Sequence, residues 1–137
     1  MSILLTHPTA GAGGAPVTLS LPPDLIWSDE FAWQQVEQAT QYTTTGAIVL
    51  DAWARLAGRP ITLRGDVDYA WCQRSTLTTL NTWAGLAGQQ FTLLLHGQTR
   101  TVVMDHASGA IAAEAVVPYS DPLPEDHYTL TLRFLEL

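Results

Sequence analysis

From Tyr128 to Leu137, large side chains fall on every second residue, Tyr128, Leu130, Leu132 and Phe134, while Thr129, Thr131 and Arg133 fill the positions between. Side chains of an extended chain point alternately to opposite faces, so this period predicts a strand with one face buried and the other wet. The same period recurs upstream. Val17, Leu19 and Leu21 alternate with Thr18 and Ser20 until Pro22 and Pro23 stop the run. Between Trp33 and Thr45, Val36, Gln38, Thr40 and Tyr42 share a face, and the many Gln and Thr predict a wet, half-buried strand. Gly46 predicts a turn and Ala47–Ala54 the returning strand, with Ile48 and Leu50 on one face and Val49, Asp51 and Trp53 on the other, so that the pair forms an antiparallel hairpin. After a turn at Ala57 and Gly58, Arg59–Arg64 points Ile61 and Leu63 one way, with Pro60 suited to a strand start or an edge. Phe91–Leu95 and Thr99–Asp105 flank the short loop His96-Gly97-Gln98, and Ile111–Val117 supplies a strand before the proline-rich loop Tyr119–Asp126.

One segment departs from period two. Leu77, Leu80, Trp83, Ala84 and Ala87 follow a three-and-four spacing that predicts a helix, with Ser75 as N-cap and Gly88 as C-terminal cap. Seven to nine short strands and one helix predict a mainly β chain with one α-helix, an antiparallel β-sandwich or split barrel with the helix packed on it. Thr6–Pro16 is rich in Gly, Ala and Pro without an apolar period, so residues 1–16 read as a flexible N-terminal arm and residues 17–137 as a single β-rich domain.

Composition narrows the function. With 137 residues, the chain has the size of one domain, and 47% hydrophobic against 14% charged residues fills a core but leaves few charges for a surface. The net charge is -7, and all six cations are Arg. Without a basic face, nucleic-acid binding is not expected. The lone cysteine, Cys72, permits neither an internal disulfide nor a thiolate-rich metal site. The first sixteen residues lack the cationic start and continuous apolar stretch of a signal peptide, and no run approaches the ~20 apolar residues of a membrane span.

The residues that carry chemistry elsewhere are scattered here. His7, His96, His106 and His127 fall in separate polar or loop segments, and no pair has the i, i+4 helical spacing that turns two imidazoles to one metal. Asp66 and Asp68 are too few for a calcium loop. Asp24, Asp29 and Glu30 read as an acidic turn between strands, Cys72 has no adjacent base, and neither a nucleophile elbow nor a phosphate-cradling glycine loop occurs. The expectation is a chain with no catalytic, cofactor or metal site. Its distinctive content is five Trp and seventeen Thr. Trp27, Trp53 and Trp83 each suit a core, and any Trp left at an edge suits an interface, where Trp, Tyr and Arg are the enriched anchors. The interface candidates are Trp33, Tyr42, Trp53, Arg55, Arg59, Arg64, Trp71 and Arg100, with the arginines, Arg74 and Arg133 among them, free to pair with carboxylates across a boundary. Exposed Trp would equally serve a carbohydrate-binding β-sandwich module, through sugar faces stacked on rings.

A more specific pattern runs through Leu21, Pro22, Asp24 and Leu25, then Trp27, Asp29, Glu30 and Phe31, then Tyr42 and Gly46, then Gly58 to Leu63. This Leu-Pro-x-Asp-Leu, Trp-x-Asp-Glu-Phe, Tyr-x-x-x-Gly, Gly-Arg-Pro-Ile-Thr-Leu series resembles the small tail proteins of long-tailed, siphovirus-like bacteriophages. The helix ending in Gly, the hairpin FTLLLHGQTRTVVMD and the final Arg-Phe-Leu-Glu resemble their distal tail and tail-tip proteins, over about residues 17 to 137. The resemblance implies a structural virion protein, made in the host cytoplasm and placed at the tail tip. It further implies a baseplate ring of three- or six-fold symmetry built from copies of itself, connecting the tail tube to tape-measure and baseplate hub proteins. It lends no catalytic residue.

Overall fold

A computed structural model describes residues 2–137, and its architecture is mainly β and antiparallel, with one helix and no closed barrel. Eleven strands run in chain order: β1 Ile3–His7, β2 Val17–Leu21, β3 Ile26–Trp27, β4 Val36–Tyr42, β5 Ile48–Ala54, β6 Arg59–Arg64, β7 Cys72–Gln73, β8 Gln90–Leu95, β9 Gln98–Met104, β10 Ile111–Ala115 and β11 His127–Glu136, with α1 at Arg74–Ala84 between β7 and β8. Nine of them form one sheet along the path β2-β1-β8-β9-β11-β6-β3, with β10 and β7 also paired to β11. The remaining pair, β4 and β5, stands apart as a two-stranded sheet.

The alternating C-terminal segment is the spine. Thr131 to Glu136 of β11 pair with β6 on one side, and Phe134 to Glu136 pair with β9 on the other; the earlier residues Tyr128 to Leu132 pair with β10. Leu130, Leu132 and Phe134 are buried, as the period requires, and meet Ile61 and Leu63 of β6, Phe91, Leu93 and Leu95 of β8 and Val102 of β9 in one core. The outermost strands β2 and β3 are joined by only Pro22 to Leu25, so the sheet curls back toward itself without closing. Leu80 and Trp83 of α1 are buried in the same core.

The N-terminus corrects the expectation of a flexible arm over residues 1–16. Ile3–His7 is a strand inserted between β2 and β8, with Ile3, Leu5 and His7 buried. Its five-residue alternation is short and ends in a polar residue, and the Gly- and Ala-rich stretch behind it masks it. His7 is therefore a core side chain: its ring lies 5.5 Å from Trp83 and 5.6 Å from Phe91, and Nδ1 accepts the Thr9 N–H at 3.1 Å. The helix start is also corrected. Gln73, not Ser75, occupies the N-cap position, and no side chain caps it. The carbonyls of Asp126 and Pro124 instead accept the Arg74 and Ser75 N–H groups at 2.9 and 3.0 Å, so the proline-rich loop does the work of a cap. The helix ends at Ala84, with Gly85 after it, so Ala87 and Gly88 lie beyond its end.

Two acidic residues of the Leu-Pro-x-Asp-Leu and Trp-x-Asp-Glu-Phe segments act as latches. Asp29 accepts the Thr62 N–H at 2.8 Å and its hydroxyl at 2.9 Å, holding the segment after β3 against β6. Asp24 accepts the Ala70 N–H at 3.0 Å, fixing a residue whose φ of 58° lies in the left-handed region that disfavours a side chain.

Candidate interaction surface

β4 and β5 form a ladder from Val36↔Ala54 to Tyr42↔Ile48 and hydrogen-bond as strands to nothing else among the described residues. Glu37 is half-buried; the other thirteen residues of the two strands are exposed. An isolated two-stranded hairpin is at best marginally stable in water, because each strand offers one neighbour and no core. This one nevertheless carries large apolar side chains. Tyr42 is 75% exposed and Trp53 55%, and Val36, Ile48, Val49 and Leu50 are each about half exposed.

The register divides these side chains sharply. Val36, Gln38, Thr40 and Tyr42 of β4 share one face with Ile48, Leu50, Ala52 and Ala54 of β5, and that face carries no charge. The other face holds Glu37, Ala39 and Gln41 with Val49, Asp51 and Trp53. Monomers rarely leave contiguous apolar surface of this kind unless it is an interaction site.

At the hairpin's root, arginines are stacked among tryptophans. Arg55 pairs with Glu37 and lies 5.8 Å from the Trp33 ring centre; Arg59 lies 6.0 Å from Trp33 and 4.7 Å from Trp27; Arg100 lies 5.0 Å from Trp27 and pairs with Glu136 at 3.1 Å. The Arg59 guanidinium also donates to the Glu30 carbonyl. Each cation is thus held over a ring face and tied to an oxygen, an arrangement that suits a planar guanidinium better than an ammonium. Three N–H groups here, Trp27 Nε1, Arg59 Nε and Arg100 Nε, are buried without an acceptor among the described residues. A shallow depression of about 200 Å³ beside them is lined by Trp33, Gln35, Arg55, Leu56, Arg59 and Glu136. Leu56 on its rim is 98% exposed.

Of the eight interface candidates, the structure brings Trp33, Arg55, Arg59 and Arg100 together at this root and sets Tyr42 and Trp53 on opposite faces of the hairpin above it. Trp53 is a surface residue, while Trp27 and Trp83 are buried. Arg64 is exposed on β6, and Trp71 lies beyond the far end of β11, its ring 5.5 Å from His127. Most of the arginines have partners within the chain. Arg55 and Arg100 have in-chain carboxylates, Arg74 donates to the Tyr128 hydroxyl at 2.9 Å, and Arg133 donates to the Gly109 carbonyl at 2.9 Å. Sequence reasoning passed over Val36, Ile48, Val49, Leu50 and Leu56. The signal for them was present only in β4, whose Gln and Thr offer a core no apolar face; the apolar run of β5 by itself reads as a buried strand.

Elsewhere the described residues offer little reactive chemistry. No three of His, Cys, Asp and Glu among them gather closely enough to hold a metal ion, and no helix among them is long and apolar enough to cross a membrane. Cys72 is buried, which pushes its thiol up to about 11 and keeps it protonated and unreactive. No protein-family model, no curated protein and no solved structure matches the chain.

Proposed function

We propose that this chain is a structural assembly subunit whose activity is to build a ring of its own copies, in the role that its resemblance to phage tail-tip and distal tail proteins implies. The observation that carries the reading is the β4–β5 hairpin, exposed on both faces, uncharged on one and carrying Val36, Tyr42, Ile48 and Leu50 there. A hairpin of that composition gains stability only when a partner covers it, and a ring supplies a partner to every copy. The low charge of the chain suits extensive covered surface, and its net charge of -7 suits a lumen that does not hold DNA.

Light scattering on the full chain, followed by electron microscopy of the particles, tests the reading. Closed rings of three or six copies are expected, and replacing residues 36–54 by a short Gly-Ser link is expected to leave a folded monomer. A full-length chain that stays monomeric at 1 mM sinks the proposal. One surface favours the second reading, a carbohydrate-binding module: Trp71, Val117, Tyr119, Glu125, Asp126 and His127 line a depression of about 170 Å³, with ring faces and carboxylates side by side. A glycan array with Trp71→Ala as control decides it, since sugar binding must fall with loss of that ring.

A further inference from the structure

We infer that β5 of one copy pairs edge to edge with β10 of a second copy, so that the large sheet continues across the subunit boundary. The inference rests on the assembly reading and names the surface that receives the hairpin.

The receiving edge is read from the hydrogen bonds of β10. Arg133 donates its N–H to the Ala110 carbonyl at 2.9 Å, and Val116 donates to the His127 carbonyl at 3.1 Å. These bonds set the phase of the antiparallel ladder, in which residues facing the partner strand alternate with residues facing away. Ala112 and Glu114 therefore turn their backbone groups toward β11, and the N–H and C=O of Ile111, Ala113 and Ala115 point outward, where no strand pairs with β10 among the described residues. Natural edges are guarded by Lys, Pro or a charge that spoils pairing. Ile111–Ala115 reads Ile-Ala-Ala-Glu-Ala, and its single charge, Glu114, lies on the opposite face from Ile111 and Ala113. Those two residues and Leu77, Thr78 and Asn81 of α1 line a groove of about 420 Å³ alongside the edge, with Arg74 at its margin. The other edges of the sheet are poorer: β2 is bounded by Pro16 and Pro22, and β3 has only two residues.

The incoming edge is fixed in the same way. Thr43 donates its N–H to Ala47 at 2.8 Å and Arg55 donates to Gln35 at 2.8 Å, which places the odd-numbered residues of the hairpin in hydrogen-bonded pairs. The backbone groups of Ile48, Leu50, Ala52 and Ala54 consequently point away from β4. The side chains of the same four residues form the uncharged face. Set beside β10 with that face toward α1, β5 directs Ile48 and Leu50 over the Leu77–Ile111 groove and leaves Asp51, Trp53 and Glu37 on the opposite side. Five residues of β10 meet a strand of seven, so every outward group of β10 finds a partner. Because β5 and β10 are different surfaces, the contact is head-to-tail, and it closes a ring or runs on as a fibre, whereas a symmetric pair of hairpins would stop at a dimer.

Proline substitutions test the pairing with little harm to the subunit, since the affected N–H groups bond to nothing within it. Leu50→Pro blocks the β5 edge and Ala113→Pro blocks the β10 edge. Each variant alone is expected to be monomeric by light scattering, with the association constant reduced on the order of 100-fold or more. An equimolar mixture is expected to give a one-to-one dimer that grows no further, because the first variant retains an intact β10 and the second an intact β5. Ala113→Glu and Leu50→Glu, which keep every backbone group, must reproduce both results, and they take the place of a proline variant that fails to fold. A wild-type chain that is monomeric removes the assembly reading itself. A wild-type oligomer that persists in both Ala113 variants indicates hairpin-to-hairpin pairing and overturns the β10 site alone, and monomeric single variants that fail to combine overturn it as well.

Discussion

The spine strand β11 and the hairpin strand β5 carry the same period-two pattern and meet opposite fates. In β11 the apolar set Leu130, Leu132 and Phe134 is buried to within 1% of complete. In β5 the corresponding set, Ile48 and Leu50, remains about half exposed. Alternation therefore specifies which side chains share a face, but burial depends on whether a second layer of the same chain reaches that face. For β11 it does, because the sheet curls and α1 packs into the same core, where Leu130, Leu132 and Phe134 join Ile3, Leu5, Leu80 and Trp83; for β5 nothing in the described chain does. The difference separates a region whose apolar face the chain covers itself from one whose face it leaves open.

The largest test of that separation is a pair of truncations. Phe134→Ala removes a buried ring and is expected to cost about 3–5 kcal/mol, the usual range for Phe to Ala in a core. Trp53→Ala removes a larger ring but is expected to change the unfolding free energy of the monomer by less than about 0.5 kcal/mol, as for other surface substitutions. Urea unfolding of both variants at a concentration where the wild type is monomeric checks it. A Trp53 variant as damaged as the Phe134 variant would mean that the hairpin packs on the body after all.

Leu5→Ala extends the comparison to the start of the chain. Leu5 is fully buried between β2 and β8, so a loss of about 2–5 kcal/mol is expected. A true arm would show no loss, and its deletion would leave the melting curve in place.

How much of this was legible depended on whether the deciding contact was local. The faces of the hairpin followed from spacing alone, since Ile48 and Leu50 against Val49, Asp51 and Trp53 is a property of any extended chain. So did α1, whose Leu80 and Trp83 are buried as the three-and-four stripe predicts, and the facing strands β8 and β9 around Gly97. The strand β1 was hidden because its polar member His7 occupies a core position, where Trp83 and Phe91 surround the imidazole. The root of the hairpin was hidden for a different reason. Trp27, Arg59 and Arg100 come from β3, β6 and β9, and nothing near any one of them in sequence announces the stack. Exposure of both hairpin faces is likewise a fact about what the rest of the chain fails to cover.

The thiol of Cys72 gives a smaller contrast within the same molecule. Burial raises it from 9.0 to about 11, so the folded chain keeps its proton when an unfolded chain would release it. Its contribution to stability is whole below pH 9 and is lost as pH rises toward 11, because only the unfolded state then gains by ionising. Urea midpoints at pH 8 and pH 10.5 should fall for the wild type more than for Cys72→Ala. In contrast, a cysteine placed on the hairpin by Ala52→Cys should react with a thiol reagent at the rate of an ordinary exposed thiol, while Cys72 reacts only through unfolding. Equal rates at the two positions would show that the Cys72 thiol is exposed in the folded chain.

The mildest change isolates the hairpin from everything else. Gly46 closes the turn with φ 85°, its N–H bonded to the Thr43 carbonyl at 3.0 Å, and a Cβ there meets no atom within 4 Å. Gly46→Ala therefore introduces backbone strain and no clash, a penalty of about 1 kcal/mol. In a cooperative sheet that penalty would lower the melting temperature of the whole chain. Here the ladder of β4 and β5 ends within itself, so the penalty falls on the hairpin's own open and closed forms. The thermal midpoint of the monomer should stay fixed while amide exchange of Val49 and Asp51 rises about five-fold, the ratio that 1 kcal/mol sets. In the proposed assembly a partner binds only the closed form, so the dissociation constant should rise as the closed fraction falls, by at most the same five-fold factor. A fall in the thermal midpoint with unchanged hairpin exchange would join the two regions into one cooperative unit.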